Sequence, residues 1–209
     1  MEEIERQVLE LVAQAYDTLG WPGVIGLMAI ESVFFPIPSE IVMPLAGWML
    51  VSAKGHSVWL VLLAGFYGAI GSLLGALLIY AVGAFGGRPL LERYGRYVLI
   101  TANDINVAER WFERYGTWAV FLSRMVPVVR SLISLPAGVA RMPLLPFTLL
   151  TFAGSFIWSV SLAFGGYLLG ENWEVLRDAI RPFDISILAI IVAVAAFYIY
   201  RRLKDRRRA

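Results

Sequence analysis

Two stretches of this sequence carry no charged side chain at all, Ser57 to Gly87 and Met142 to Gly170. Each exceeds the roughly 20 residues that a helix rising 1.5 Å per residue needs to cross a hydrocarbon core about 30 Å thick. Lipid offers the backbone no hydrogen-bond partner, so a run of this kind must satisfy its own amides as a helix. Composition agrees: 59% of the 209 residues are hydrophobic and 16% charged, whereas a soluble domain carries about 25% charge. Such a chain is no disordered segment, coiled coil or nucleic-acid module, and a net charge of +2 is too small to imply a polyanion partner. It has no cysteine and a single histidine, which excludes disulfides, thiolate metal sites and cysteine nucleophiles, so neither a metal nor a cofactor is expected. The expected class is an all-α membrane protein.

The remaining apolar segments differ from one another. Residues 1–19 interleave Glu2, Glu3, Glu5, Glu10 and Asp17 with Ile4, Val8, Leu11, Val12 and Leu19, the pattern of an acidic amphipathic helix lying at an interface. Residues 171–209 form an external connection, a final span over Phe183–Tyr200 and a basic tail. Between them lies a core, residues 20–170, with two broken apolar stretches. Trp21 to Phe35 meets Pro36-Ile37-Pro38-Ser39 and resumes from Ile41 to Val51, while Thr117 to Val126 meets Pro127 and resumes from Leu132 to Val139. About 14 helical residues reach only ~21 Å, and proline interrupts the hydrogen-bond ladder. Residues 21–53 and 117–141 are therefore expected to form re-entrant hairpins broken at Pro36, Pro38 and Pro127; the alternative is two kinked spans. With spans at 57–87 and 142–170 and an amphipathic cytoplasmic segment at 88–116, the expected architecture is two opposed re-entrant helical hairpins plus about three transmembrane helices.

Basic residues concentrate in 88–114, Arg141 and 201–208, against only Arg6, Lys54, Arg177 and Arg181 elsewhere outside the hairpins, which places the C-terminus in the cytoplasm. The hairpins then open to opposite sides. A weak internal repeat points the same way: a shift of 91 residues aligns Ser32 with Ser123, Pro36 with Pro127 and Ala46-Gly47 with Ala137-Gly138. Further on, Tyr80-x-x-Gly83 matches Tyr167-x-x-Gly170 at a shift of 87. Repeats of opposed, discontinuous helices occur in transporters with midplane sites. Gly71-x-x-x-Gly75, Gly83-x-x-x-Gly87 and Gly166-x-x-x-Gly170 would let helices approach closely.

With Arg141 set aside at the hairpin mouth, four ionisable residues remain inside the hairpins: Glu31, Glu40, Arg124 and Arg130. A charge at membrane depth costs at least about 2.5–3.5 kcal/mol on insertion scales and calls for a partner or a water-filled cavity. Glu31 and Glu40 flank the first proline break, Arg124 and Arg130 the second, so across the bends two acids and two guanidinium groups can converge. Which acid meets which arginine stays open. The bland reading is a pair of structural ion pairs. The choice of arginine at both positions favours function, because a guanidinium fork grips phosphate bidentately where lysine offers a point charge. Together these are parts for moving an anionic headgroup with a proton or against one. Serines are numerous but have no accompanying base, and His56 sits in a polar turn. Trp48, Trp59, Trp111, Trp118 and Trp158 read as interface anchors and packing.

The segments Glu31-Ser-Val-Phe-Phe-Pro36-Ile-Pro38-Ser39-Glu40, Phe121-Leu-Ser-Arg124-Met-Val-Pro127-Val-Val-Arg130-Ser131 and Ala137-Gly138 resemble the signatures of the DedA family, also called SNARE-associated or VTT-domain proteins. The resemblance covers roughly residues 20–170. It implies opposed re-entrant hairpins and lipid translocation: bacterial members are implicated in returning undecaprenyl phosphate or phosphatidylethanolamine across the cytoplasmic membrane, often with the proton motive force, and eukaryotic relatives are described as scramblases. The family's functional acids match Glu31 and Glu40 and its functional arginines Arg124 and Arg130. The N-terminus departs from the pattern, since many members have a clear first span there.

The resulting expectation is a non-enzymatic, flippase-like or scramblase-like protein of the bacterial cytoplasmic membrane. It would move a phosphate-bearing lipid, a polyprenyl phosphate or a phospholipid, with Arg124 and Arg130 holding the phosphate and Glu31 and Glu40 carrying the proton. Its partners are lipids and protons, not nucleic acid, with room for a homo-oligomer. The alternatives are a proton-coupled antiporter of a small soluble ion and a membrane-embedded structural scaffold.

Overall fold

The structure, a computed structural model, describes residues 2–33, 38–86, 114–116, 118–126, 129–172 and 175. The expected final span, most of the 88–116 segment, and Pro36 and Pro127 lie outside the described residues. Among the described residues the chain is helical, with no strand. Two helices are long and apolar enough to cross a membrane, α4 (Leu60–Ala81, extended by π-helical turns over Val82–Gly86) and α8 (Leu144–Leu169). They pack antiparallel: Tyr80 of α4 meets Phe147 of α8 with ring centroids 4.7 Å apart, and a methyl group at Gly68 would come within 2.9 Å of Ser159 Oγ. That register sets Ser72 and Ser155 at the same level, near the middle of both helices.

The first broken stretch forms α2 (Trp21–Val33) and α3 (Ser39–Leu45), the latter continued by π-helical turns over Ala46–Ser52. Pro38, extended at φ −71° and ψ 138°, starts α3. Pro44 withholds one ladder donor inside the helix, and the wider turns follow directly, with Ala53 N–H donating to the Trp48 carbonyl at 2.8 Å. α2 runs the same way as α4. Trp21 stacks on Tyr67 at 5.8 Å, and further along Gly71 and Gly75 lie against Ile25 and Ala29. α3 returns, with Met43 beside Gly68, and the turn at 53–59 leads into α4. Both ends of this pair therefore sit at the N-terminal end of α4.

The second broken stretch repeats the arrangement at the other end. α5 (118–123) lays Phe121 and Arg124 against Gly154 of α8. α6 (Val129–Leu132) and α7 (Ser134–Val139) return, and the chain turns at Arg141, in left-handed backbone at φ 49°, to enter α8. Contacts on the two sides mirror each other. Gly47 and Gly166 lie against the backbones of Ala163 and Pro44, and Gly138 and Gly83 against those of Tyr80 and Leu135. Any side chain at these positions would overlap a carbonyl, so close backbone approach is what these glycines provide.

This pairing corrects the sequence repeat. The second arms do match at 91, since Pro44 and Gly47 stand where Leu135 and Gly138 stand. The long helices match at 83 rather than 87, pairing Gly71, Ser72 and Gly83 with Gly154, Ser155 and Gly166. Tyr167 and Gly170 agree with Tyr80 and Gly83 only in residue type. Gly170 instead ends α8 in left-handed backbone at φ 56°, and Gly87 lies outside the described residues.

α1 (Glu2–Leu19) is helical as its pattern requires, ending at Gly20 with φ 60°. It is tied to the core: Val12 and Tyr16, one turn apart, are buried, and the Tyr16 hydroxyl donates to the Val42 carbonyl at 2.6 Å. Of the tryptophans, Trp59 and Trp118 are exposed as membrane-interface residues would be. Trp158 lies within α8, and its indole N–H donates to Ser39 Oγ at 3.3 Å.

Candidate functional site

The four charged residues of the broken stretches meet at the middle of the α4–α8 pair. Glu31 and Ser32 close α2, where Gly75 of α4 leaves room for Ser32. Glu40 lies in the first turn of α3, whose free amides favour an anion. Arg124 follows α5 in a tight turn, its N–H donating to the Phe121 carbonyl at 3.2 Å. Gly154 makes room for it, since a methyl there would stand 2.7 Å from Arg124 Cβ. Arg130 lies on α6. All four are buried, Arg124 most completely at 2% exposure.

The two arginines are held differently. Arg130 forms a salt bridge with Glu31, whose other oxygen accepts from Ser32 Oγ at 3.3 Å. Glu31 also lies in the field of Glu40, and Arg124 in the fields of Arg130 and Glu31, so the four charges form one electrostatic cluster. Arg124 has no carboxylate partner among the described residues. One terminal nitrogen donates to Ser134 Oγ at 2.9 Å and Thr151 Oγ1 at 3.3 Å. Its guanidinium carbon stands 6.0 Å from the centre of the buried Phe147 ring, and its Nε is buried without a partner among the described residues. A buried guanidinium satisfied partly by neutral hydroxyls keeps its full charge for an anion.

Of the expected site residues, Glu31, Glu40, Arg124 and Arg130 come together. Pro38 starts α3 beside Glu40, and Pro36 and Pro127 lie outside the described residues. Ser134, Thr151, Phe147 and Gly154, which surround Arg124, are not among the site residues expected from the sequence. One signal was present. Thr151, Ser155 and Ser159 recur every fourth residue in an uncharged span, which puts three hydroxyls on one helix face, and all three are buried. Among the described residues no cluster of three His, Asp or Glu side chains is arranged to hold a metal ion.

The sequence profile of the VTT domain matches residues 37–168, more than half of the chain, a stretch that holds Glu40, Arg124 and Arg130. The chain belongs to the VTT-domain, or DedA, family. Undecaprenyl phosphate transporter A of Bacillus subtilis (strain 168) is 39% identical over 186 residues, covering 86% of this chain and 87% of that one. The protein of the same name from Staphylococcus aureus (strain NCTC 8325 / PS 47) is 29% identical over 203 residues, covering 95% and 98%. An alkaline phosphatase-like protein of Lactococcus lactis subsp. cremoris (strain MG1363) is 36% identical over 187 residues, covering 87% and 86%. No solved structure matches. With two span-length apolar helices, this VTT-domain chain is a membrane protein.

Proposed function

We propose that this protein translocates a phosphate-bearing lipid, with undecaprenyl phosphate the first candidate, between the leaflets of the bacterial cytoplasmic membrane. The observation that carries the reading is Arg124, a buried guanidinium without a carboxylate partner among the described residues, at mid-height between two broken helix pairs. The names of the Bacillus and Staphylococcus relatives supply the lipid. On this reading the two broken pairs are re-entrant hairpins that open to opposite sides, and the C-terminus is cytoplasmic.

Arg124 receives the phosphate first. Arg130, bound to Glu31 at rest, joins when a proton neutralises Glu31 and ends its claim on the guanidinium. Glu40, in the same buried cluster, is the second acid of the proton cycle. Deprotonation restores the Glu31–Arg130 pair and expels the phosphate, so one proton cycle accompanies one headgroup. The acids and the phosphate thus compete for the arginines, which is transport rather than bond cleavage.

Purified protein in liposomes with a polyprenyl phosphate tests this. Wild type should move the intact lipid across the bilayer, and Arg124→Lys should lower the rate about tenfold or more, since lysine keeps the charge but loses the fork. Undiminished transport in Arg124→Lys would sink the phosphate role, and release of inorganic phosphate from the lipid would mark a phosphatase instead.

A further inference from the structure

A groove of about 600 Å³ lies between the C-terminal part of α4 and the start of α8, within the size range of ligand pockets. Its walls are apolar, formed by Leu77, Ala81, Phe85 and Leu144, with Tyr80 at the base and Arg141 the one charged residue among the described residues that line it. Phe85 and Leu144 are exposed, as is Arg141. Among the described residues this opening lies on the outer surface of two span-length helices, and acyl chains suit its walls. Arg141 stands at the turn entering α8, at the end of the span, where a headgroup belongs.

Two further features tie the groove to the cluster. The Tyr80 hydroxyl donates to the Met142 carbonyl at 2.5 Å, fixing the base to the turn that carries Arg141. The Tyr80 ring at the groove base meets Phe147, and Arg124 lies against Phe147, so these two rings in series connect groove and guanidinium. Arg141 holds left-handed backbone, a conformation a non-glycine residue keeps only where its surroundings impose it.

We propose that this groove is a docking site for a lipid with an anionic phosphate headgroup, the phosphate on Arg141 and a hydrocarbon chain along α4, from which the headgroup passes Phe147 to reach Arg124. The passage to Arg124 rests on the transport reading above; the docking does not.

The full chain in lipid nanodiscs, followed by native mass spectrometry, compares retention of phosphatidylglycerol with phosphatidylcholine of matched chains. Wild type should prefer phosphatidylglycerol. Arg141→Asn, which keeps the left-handed turn, should reduce that preference about tenfold, the equivalent of one charge-assisted hydrogen bond. Ala81→Phe, which fills the groove, should reduce retention of both lipids. An unchanged preference in Arg141→Asn, or unchanged retention in Ala81→Phe, overturns the site. Should wild type retain phosphatidylglycerol through Arg141 yet move no polyprenyl phosphate in liposomes, the docking site stands and the transport reading falls. Transport of polyprenyl phosphate without such retention removes the docking site and leaves transport standing.

Discussion

Arg130 and Glu31 are the residues whose partnership the geometry decides. Each side chain is 8% exposed, so neither charge finds much water if the other is removed. Stranding one member of such a pair costs about 3–5 kcal/mol, whereas neutralising both relieves the penalty. Arg130→Gln alone should therefore lower the thermal midpoint of the purified protein, and Arg130→Gln with Glu31→Gln should recover most of the loss. Equal destabilisation in single and double variants would contradict the pairing. Glu31→Gln carries a second consequence. Glutamine keeps the shape but cannot ionise, so under the proposed proton cycle any dependence of transport on an imposed pH gradient should vanish with it. At this scale the sequence singled out the residues that come together: four charges in apolar stretches are conspicuous. It could not assign partners, because Arg124 and Arg130 are six residues apart around a bend, and their surroundings come from α2, α7 and α8.

Between elements, the decisive contacts are made by residues with no side chain. Gly166 lies against the Pro44 backbone so closely that a Cβ would overlap its carbonyl, whereas nothing stands within 4 Å of a Cβ added at Gly26. Gly166→Val should cost about 1–3 kcal/mol through overpacking, while Gly26→Ala should be neutral within about 0.5 kcal/mol. Thermal unfolding in detergent compares the two directly, and a tolerated Gly166→Val would mean that the helices separate easily. The glycine spacings were visible in the sequence, but their partners were not. Gly71 and Gly75 admit α2, Gly83 admits α7, and Gly170 serves as a helix terminus. Spacing alone does not distinguish a packing glycine from a capping one, because both rest on the missing Cβ.

Across the whole molecule, the two broken pairs sit at opposite ends of the antiparallel α4–α8 pair. If α4 and α8 cross the bilayer, single cysteines at Ser52 and Arg141 should be labelled by an impermeant thiol reagent from opposite sides. The cysteine-free chain gives no background, and labelling of both from one side would overturn the inverted arrangement. The sequence by itself determined that the chain is helical and lives in lipid. It also determined which charges are stranded among apolar residues, since hydrophobic length and charge act locally. Only the tertiary structure decided that the repeat runs at 83 in the long helices, that Arg130 rather than Arg124 holds Glu31, and that Ser134 and Thr151 line the Arg124 guanidinium. Those outcomes depend on which carbonyl a glycine lets approach and at what height two helices cross, and the identity of the residues does not encode either distance.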